Sequence, residues 1–108
     1  MITESQINDV VYKIANFYQP EKIILFGSYA TQTANENSDL DLLVVKNSNL
    51  PRTQRNIEIW KELRKEKYFF PIDILVYTNS EIEKDKNSKY SFVYEALNKG
   101  KIVYEYKQ

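Results

Sequence analysis

Residues 22–45 have the sequence KIILFGSYATQTANENSDLDLLVV, in which two apolar runs are separated by a polar stretch. The first run ends at Gly27-Ser28, and ten residues separate Ser28 from the Asp39-Leu40-Asp41 triplet that opens the second run. Short apolar runs bounded by glycine or polar residues are typical of buried strands. The stretch therefore predicts strands over 22–26 and 40–45, a short helix over 28–33 and a loop over 34–38.

The remaining chain continues this alternation of helices and strands. Thr3 and Gln6 have the spacing of a capping box and begin a helix over 3–18, which Pro20 ends. The apolar stripe of this helix consists of Ile7, Val10, Val11, Ile14, Phe17 and Tyr18. Pro51 suits the first turn of a helix that runs to about residue 67, with Ile57, Trp60 and Leu63 facing inward. Further strands are predicted over 69–77 and 102–106, with a helix over 88–97 that Gly100 stops. The segment 80–94 is otherwise ambiguous.

This element order predicts an α/β (α+β) domain, because helices that alternate with strands pack onto a sheet. We expect a single domain over residues 1–108 with a small mixed β-sheet of about four strands. The last strand, 102–106, is expected at the edge of the sheet.

Composition excludes several classes of site. The chain has no cysteine and no histidine, which excludes disulfides, thiolate zinc sites and Ser-His-Asp triads. Fifteen basic and fifteen acidic residues give a net charge of zero, so strong nucleic-acid binding is not expected. No apolar run approaches the roughly 20 residues of a membrane span, so no membrane association is expected. The first residues lack the features of a signal peptide, and we expect a cytoplasmic protein.

Asp39 and Asp41 flank Leu40 at the start of the second apolar run. Alternate side chains of a strand share a face, so both carboxylates are expected to face one region. Carboxylates placed side by side repel each other unless a cation lies between them. Since the chain offers only oxygen ligands, that cation is expected to be Mg²⁺, with Mn²⁺ as an alternative.

Asp73 interrupts the apolar segment 69–76 and supplies a third carboxylate. A lone charge in such a segment is costly to bury without a partner. If its strand lies beside the Asp39–Asp41 strand, three carboxylates meet, which is enough to hold two metal ions for phosphoryl or nucleotidyl displacement. Alternatively, Asp73 is an edge-strand charge that prevents aggregation.

Gly27 and Ser28 lie where the first strand gives way to a helix. Glycine permits close approach to the backbone, and a hydroxyl and amide at a helix start favour phosphate. Taken alone, a Gly-Ser pair or an Asp-x-Asp triplet is often only a turn or a cap. Their combination predicts a site for a metal-bound nucleoside triphosphate.

This arrangement resembles the minimal nucleotidyltransferase family, a small branch of the DNA polymerase beta-like nucleotidyltransferase superfamily. The family motif is Gly-Ser, ten residues, then Asp-x-Asp, which Gly27, Ser28, Asp39 and Asp41 match. Asp73 matches the third carboxylate of the family, on a later strand. The chain departs from the pattern at Thr31 and Gln32, where the family often has a basic residue and a glycine, and this would weaken nucleotide binding more than metal binding.

The resemblance implies the polymerase beta-like fold and Mg²⁺-dependent transfer of a nucleoside monophosphate, with ATP as the expected donor. Gly27 and Ser28 would hold the β and γ phosphates, and Asp39 and Asp41 would bind both metal ions. Asp73 would bind the ion nearer the acceptor and help to deprotonate the acceptor hydroxyl. Short members of the family are commonly antitoxins beside a small helical toxin of the HEPN class, and some adenylylate a tyrosine of that toxin. A protein partner is then expected to complete the acceptor side.

Two other interpretations remain open from the sequence. The chain could be a binding module with a weak or inactive site that neutralises a helical partner by complex formation. It could also be a structural domain with an acidic metal-binding pocket. A homo-oligomer is a further expectation, through Tyr68, Phe69 and Phe70 or through the strand over 102–106.

Overall fold

The computed structural model describes residues 1–107 and contains a mixed four-stranded sheet with helices on both faces. The helices are α1 (Glu4–Tyr18), α2 (Ser28–Thr31), α3 (Arg52–Arg55), α4 (Ile57–Leu63), α5 (Asn79–Asp85) and α6 (Phe92–Lys99). The strands are β1 (Lys22–Phe26), β2 (Leu40–Val45), β3 (Ile72–Tyr77) and β4 (Lys101–Glu105). A 3₁₀ turn over Arg64–Glu66 follows α4. The predicted fold class is confirmed.

The first helix begins at the predicted capping box. The Thr3 side chain accepts a hydrogen bond from the Gln6 N–H, and the Gln6 side chain accepts one from the Thr3 N–H. At the other end Gln19 adopts the left-handed conformation before Pro20. Five of the six predicted stripe residues are buried, but Phe17 is 46% exposed. The prediction for Phe17 was wrong because Tyr18, four residues after Ile14, takes the inward position in the last turn, and Phe17 lies to the side of the buried stripe.

The sheet has the strand order β3-β2-β1-β4. Strand β1 pairs antiparallel with both β2 and β4, whereas β2 and β3 are parallel. The predicted bounds of β1 and β2 are confirmed, as is the edge position of the last strand. This order places the ends of β1 and the beginnings of β2 and β3 at the same end of the sheet.

Each face of the sheet packs against a different set of helices. Alternate side chains of the strands, such as Leu25 and Leu42, pack against α1 and α4 in the larger core. The intervening side chains, such as Phe26 and Leu43, pack against Val93 and Ala96 of α6 in a smaller core. Because side chains alternate along a strand, Asp41 lies on the same face as Leu43, the face that α6 covers.

The single helix predicted from Pro51 to about residue 67 is broken in the structure. Asn56 separates α3 from α4, and its side-chain amide donates to the carbonyl oxygen of Ile74. Ile59 and Leu63 face the core, whereas Ile57, which was predicted to face inward, is 46% exposed. The apolar residues of this segment fit two helical stripes, one that includes Ile57 and one that includes Ile59 and Leu63. The structure buries the second stripe, which Arg55 extends by one turn.

Later elements differ from the predictions mainly at their ends. Strand β3 begins at Ile72 rather than Phe69, after Pro71, which has no N–H for the ladder. The ambiguous segment contains α5, whose capping box joins Thr78 and Glu81. Of the aromatic residues proposed for self-association, Phe69 is 94% exposed, but Tyr68 and Phe70 are half-buried and pack together. Oligomerisation itself stays a prediction.

Within residues 1–107, none of the helices combines the length and the apolar character that crossing a bilayer requires.

Candidate functional site

The turn after β1 depends on glycine. Gly27 has φ 74° and ψ −157°, a conformation that residues with a side chain rarely adopt. A Cβ atom at this position would also overlap the Oδ2 atom of Asp41. The missing side chain therefore lets the Asp41 carboxylate lie directly against the turn, so that these two predicted site residues are in contact range.

Helix α2 begins directly after the Gly27 turn, and its first two amides make no hydrogen bond within the helix. The amides of Ala30 and Thr31 donate to the carbonyl oxygen of Gly27, while those of Ser28 and Tyr29 precede the first intrahelical bond. Since α2 contains only four residues, its dipole is small, so that these individual N–H groups, rather than the helix dipole, are what the turn offers to a hydrogen-bond acceptor. Ser28 and Gly27 are both half-buried at this position.

The two departures from the family pattern have distinct structural effects. Thr31 is exposed, and its hydroxyl lies 2.9 Å from the hydroxyl of Thr33. Because threonine is uncharged, this position lacks the basic side chain that the family often has there. Gln32 has φ 62° and ends α2 in the left-handed conformation, which glycine adopts at no steric cost. A glycine would thus relieve a small strain at Gln32 without changing the path of the chain.

Asp41 and Asp73 are direct neighbours across the parallel β2–β3 pair. Burial is the main cause that raises the pKa of Asp41 to about 6, and the charges of Asp73 and Asp39 raise it further. The other partner of Asp41 in the sheet is Phe26, the residue before Gly27. Asp41 is therefore the centre of the site, between the turn on one side and Asp73 on the other.

Asp39 and Asp73 are more open to solvent than Asp41. Asp39 lies just before β2 rather than within it, and Asp73 lies on the edge strand β3, and both are exposed. The edge position leaves the charge of Asp73 in contact with solvent, as the edge-strand alternative expected, while the strand still lies beside β2 as the metal-site interpretation required. Among residues 1–107 no three acidic side chains are already gathered closely enough to form a metal-ligand group. The three aspartates share one end of the sheet, and their role as ligands stays a prediction.

Glu95 of α6 is a further acidic residue near this site that the sequence analysis missed. Its charge is among the causes that raise the pKa of Asp41. It is half-buried in the first turn of α6, three residues after Phe92. The only signal in the sequence was an acidic residue beside apolar positions of a helix, which is common on solvated faces. Its closeness to Asp41 depends on how α6 packs on the sheet.

Comparison with known proteins agrees with this geometry. The sequence model described as polymerase beta, nucleotidyltransferase, matches residues 8–108. The chain belongs to the polymerase beta nucleotidyltransferase family. No curated protein resembles the sequence closely enough to count as a match.

Solved structures with the polymerase beta nucleotidyltransferase fold superpose over most of the chain. One is a candidate nucleotidyltransferase from Sulfolobus solfataricus, with a TM-score of 0.63 and 16% identity, covering 92% of this chain and 77% of the other. A second is described as a toxin–antitoxin with AMP-PNP, with a TM-score of 0.61 and 23% identity, covering 94% of this chain and 75% of the other. At these identities the similarity establishes the fold.

Proposed function

We propose that this chain is a nucleotidyltransferase that transfers a nucleoside monophosphate from a triphosphate to a hydroxyl acceptor. The observation that carries the proposal is the position of the Asp41 carboxylate, which lies against the Gly27 turn and beside Asp73 in the sheet register. A turn can bind the phosphates of the same triphosphate whose cation the carboxylates bind only if the turn and the carboxylates are adjacent. Family membership supports the same reaction class.

The residues present fit a hard divalent cation. All candidate ligands are carboxylate oxygens, the type that Mg²⁺ and Mn²⁺ prefer. Asp41 has a raised pKa partly because Asp73 and Asp39 repel its charge, and a cation among the three would relieve that repulsion. We expect Asp39, Asp41 and Asp73 to hold two Mg²⁺ ions, with Mn²⁺ as a substitute. Bound in this way, the ions supply electrostatic stabilisation of the charge that develops on the phosphates.

The chain's own residues then have separate tasks. The N–H groups of Ser28 and Tyr29 and the Ser28 hydroxyl bind the β and γ phosphates at the Gly27 turn. Asp73 lies at the open edge of the sheet, where it accepts the proton of the incoming hydroxyl. The hydroxyl oxygen forms a bond to the α phosphorus as the bond to the β-phosphate oxygen breaks, and pyrophosphate leaves. The rate gain comes from positioning and charge stabilisation.

We further propose that ATP is the donor and that the acceptor is a tyrosine hydroxyl of a small helical partner of the HEPN class, which the chain silences as an antitoxin. The supports are the family resemblance of the Gly27, Ser28, Asp39 and Asp41 motif and the shared fold with a protein described as a toxin–antitoxin with AMP-PNP. Asp73, the proposed base, is exposed, so a macromolecular hydroxyl has access to it.

A second candidate is a binding module that neutralises its partner by contact alone. The observation that favours it is Thr31, an uncharged, exposed side chain where the family often has a basic residue. Without a basic side chain at this position, fewer positive charges hold the triphosphate. This candidate predicts a stable complex with the partner and no covalent product.

Label transfer from α-labelled ATP separates the two candidates. The purified chain is incubated with Mg²⁺ and the protein encoded by the adjacent gene, and label that survives denaturation is counted. We expect covalent label on the partner with the native chain, less than about 1% of it with Asp41→Asn, and full labelling with the control Asp85→Asn. Complex formation without label would favour the binding module, and normal labelling by Asp41→Asn would refute the enzyme assignment.

A further inference from the structure

The hydroxyl of Tyr29 joins α2 to the start of α1. The backbone N–H of Ile2 donates a hydrogen bond to the Tyr29 hydroxyl oxygen, with 2.9 Å between the nitrogen and the oxygen. Ile2 is 8% exposed and belongs to the larger core, and Tyr29 is half-buried against the same core. The bond therefore links α2 to a buried part of the fold that lies 27 residues away along the chain.

Within residues 1–107, this is the only hydrogen bond that connects α2 with a residue outside the segment 27–33. The other bonds of α2 are local, since Ala30 and Thr31 donate to Gly27 and the Thr31 hydroxyl lies beside that of Thr33. A helix of about one turn is unstable by itself, because its few hydrogen bonds do not offset the ordering of the backbone. The position of α2 must therefore come from contacts with the rest of the molecule.

Side-chain packing holds α2 only in part. Ala30 is buried, but a groove of about 610 Å³ lies between α2, the start of α1 and β4. Tyr29 and Gln32 line the groove from α2 and its end, while α1 and β4 contribute Ile7 and Val103. A displacement of α2 towards this groove would meet open space rather than packed side chains. The hydrogen bond from the Ile2 N–H to Tyr29 is then left to oppose such a displacement.

The position of α2 matters for the site because α2 begins at Ser28, directly after Gly27. The Asp41 carboxylate lies against Gly27, so a displacement of α2 changes the distance between the turn and the carboxylate. Groups that act together on one ligand must be held to within about 0.5 Å of their productive geometry. A contact that restrains α2 therefore also restrains the site.

We propose that Tyr29 is a positioning residue, whose hydroxyl holds the Gly27–Ser28 turn at the distance from Asp41 that a metal-bound triphosphate requires. The side chain of Tyr29 packs with the core on the α1 face of the sheet, whereas Asp41 lies on the α6 face. Tyr29 therefore acts through the backbone of α2 and not by touching the reacting groups with its hydroxyl. The inference rests on the proposed function, because it takes the phosphates to bind at this turn.

Tyr29→Phe removes the hydroxyl and keeps the ring. Tyr12→Phe is the matched control, because Tyr12 is 65% exposed and its hydroxyl is in no hydrogen bond within residues 1–107. In isothermal titration calorimetry with Mg²⁺, we expect Tyr29→Phe to bind ATP about fivefold more weakly than the native chain and the control, as the loss of one hydrogen bond predicts. In label transfer, KM for ATP should rise by a similar factor while kcat stays unchanged, because bound phosphates hold the turn in place.

Two further measurements examine the hydrogen bond itself. The amides of Ala30 and Thr31 donate to Gly27, so their hydrogen exchange, followed by NMR without ligand, reports the opening of α2. We expect exchange of these two amides to be about fivefold faster in Tyr29→Phe, with exchange in β2 unchanged. Ile2→Pro removes the N–H that donates to Tyr29, so adding Tyr29→Phe to that variant should weaken ATP binding no further.

The outcomes separate this inference from the proposed function. Native ATP affinity in Tyr29→Phe, unchanged exchange in α2, or additive effects of Tyr29→Phe and Ile2→Pro would each overturn the positioning role and leave nucleotide binding intact. Faster exchange in β2 as well as in α2 would indicate a general loss of stability and would also overturn it. Failure of the native chain to bind ATP with Mg²⁺ would instead overturn the proposed function, and the positioning role with it.

Discussion

At the scale of single residues, the carboxylate of Asp41 is held where its own charge is unfavourable. Partial burial and the neighbouring charges of Asp73 and Asp39 raise its pKa from 3.8 to about 6. A carboxyl pKa raised in this way is typical of sites that bind a cation, because a cation would offset the repulsion between neighbouring carboxylates.

Replacing Asp41 by Asn should therefore stabilise the protein in the absence of metal. The Asp41 carboxyl holds its proton more tightly in the folded state than in the unfolded state, so the native chain loses stability as pH rises from about 4 to about 6. We expect Asp41→Asn to melt at a higher temperature than the native chain at pH 7 and to show no advantage at pH 3.5. Thermal melts in a chelating buffer at the two pH values measure this difference. An Asn variant that is less stable than the native chain at pH 7 would contradict the explanation.

Gly27 should be the least replaceable residue of the site. Gly27→Ala adds a Cβ that overlaps Asp41 Oδ2 and places a side chain in a conformation reserved for glycine. We expect a loss of about 3 kcal/mol in the free energy of unfolding. Urea titration followed by circular dichroism measures it. In the double variant with Asp41→Gly the overlap is removed, so part of the loss should return, and a fully additive result would show that only the backbone conformation matters.

At the scale of elements, α3 and α5 are joined by a buried ion pair at the end of β3. The Arg55 guanidinium is 6% exposed and donates to Glu81, at 3.1 Å from Nη2 to Oε2, and to the carbonyl oxygens of Leu50 and Val76. Hydrogen bonding from Arg55 is the main reason that the pKa of Glu81 is lowered to about 2. The same glutamate completes the capping box of α5 with Thr78.

Breaking the Arg55–Glu81 ion pair should lower the free energy of unfolding by more than the partly exposed carboxylate of Glu81 suggests. Glu81→Gln keeps the shape of the cap but leaves the buried Arg55 charge without its counter-ion, and we expect a loss of about 3 kcal/mol. Because the pKa of Glu81 is lowered in the fold, the native advantage is present above about pH 4.5 and is lost as pH falls towards 2. Urea unfolding at pH 7 and pH 2.5 tests this, with Glu83→Gln on the same helix as control. A loss of equal size at both pH values would rule out the ionic explanation.

Elements with local signals were predictable from the sequence, and those decided by distant partners were not. Strands β1 and β2 are short apolar runs between turn residues, and α1 begins at a capping box, so neighbours in the chain were sufficient to predict them. The break at Asn56 and the burial of Arg55 depend on Ile74 and Glu81, which lie far along the chain. No pattern near Ile57 indicated that a charged residue would occupy the inward stripe.

The same distinction applies to the site. The motif of Gly27, Ser28, Asp39 and Asp41 could be recognised in the sequence because its four residues lie close together in the chain, at one turn and the ends of two consecutive strands. The pairing of Asp41 with Asp73 required β2 and β3 to be parallel neighbours, which was only a condition in the sequence analysis. Glu95 could not have been found, since its closeness to Asp41 arises from the packing of α6 on β1.

At the scale of the whole molecule, the strand order gathers the site at one end of the sheet. The end of β1 and the beginnings of β2 and β3 meet there, so the turn, the central carboxylate and the edge carboxylate come from three adjacent strands. Helix α6 covers one face beside them, while the edge at β3 stays open. In the proposed reaction, the acceptor would then approach from the open edge at β3.

Ligand binding should stabilise the whole fold only when nucleotide and metal are both present. A ligand at one hundred times its dissociation constant adds about 2.7 kcal/mol to the free energy of unfolding, which for a chain of this size is a rise of roughly ten degrees or more in melting temperature. We expect this rise with ATP and Mg²⁺ together, and little change with either alone. Scanning fluorimetry with each component omitted in turn measures the dependence, and an equal rise with ATP in excess EDTA would argue against metal-assisted binding.

The central claim is that Asp41, between the Gly27 turn and Asp73, binds a metal-bound triphosphate. Isothermal titration calorimetry of ATP with Mg²⁺ tests it most directly, on the native chain, on Asp41→Asn and on the control Asp85→Asn. The account predicts binding by the native chain and the control, and at least a hundredfold weaker binding by Asp41→Asn even though that variant is folded. Unchanged affinity in Asp41→Asn, or native affinity that persists when Mg²⁺ is removed, would contradict it.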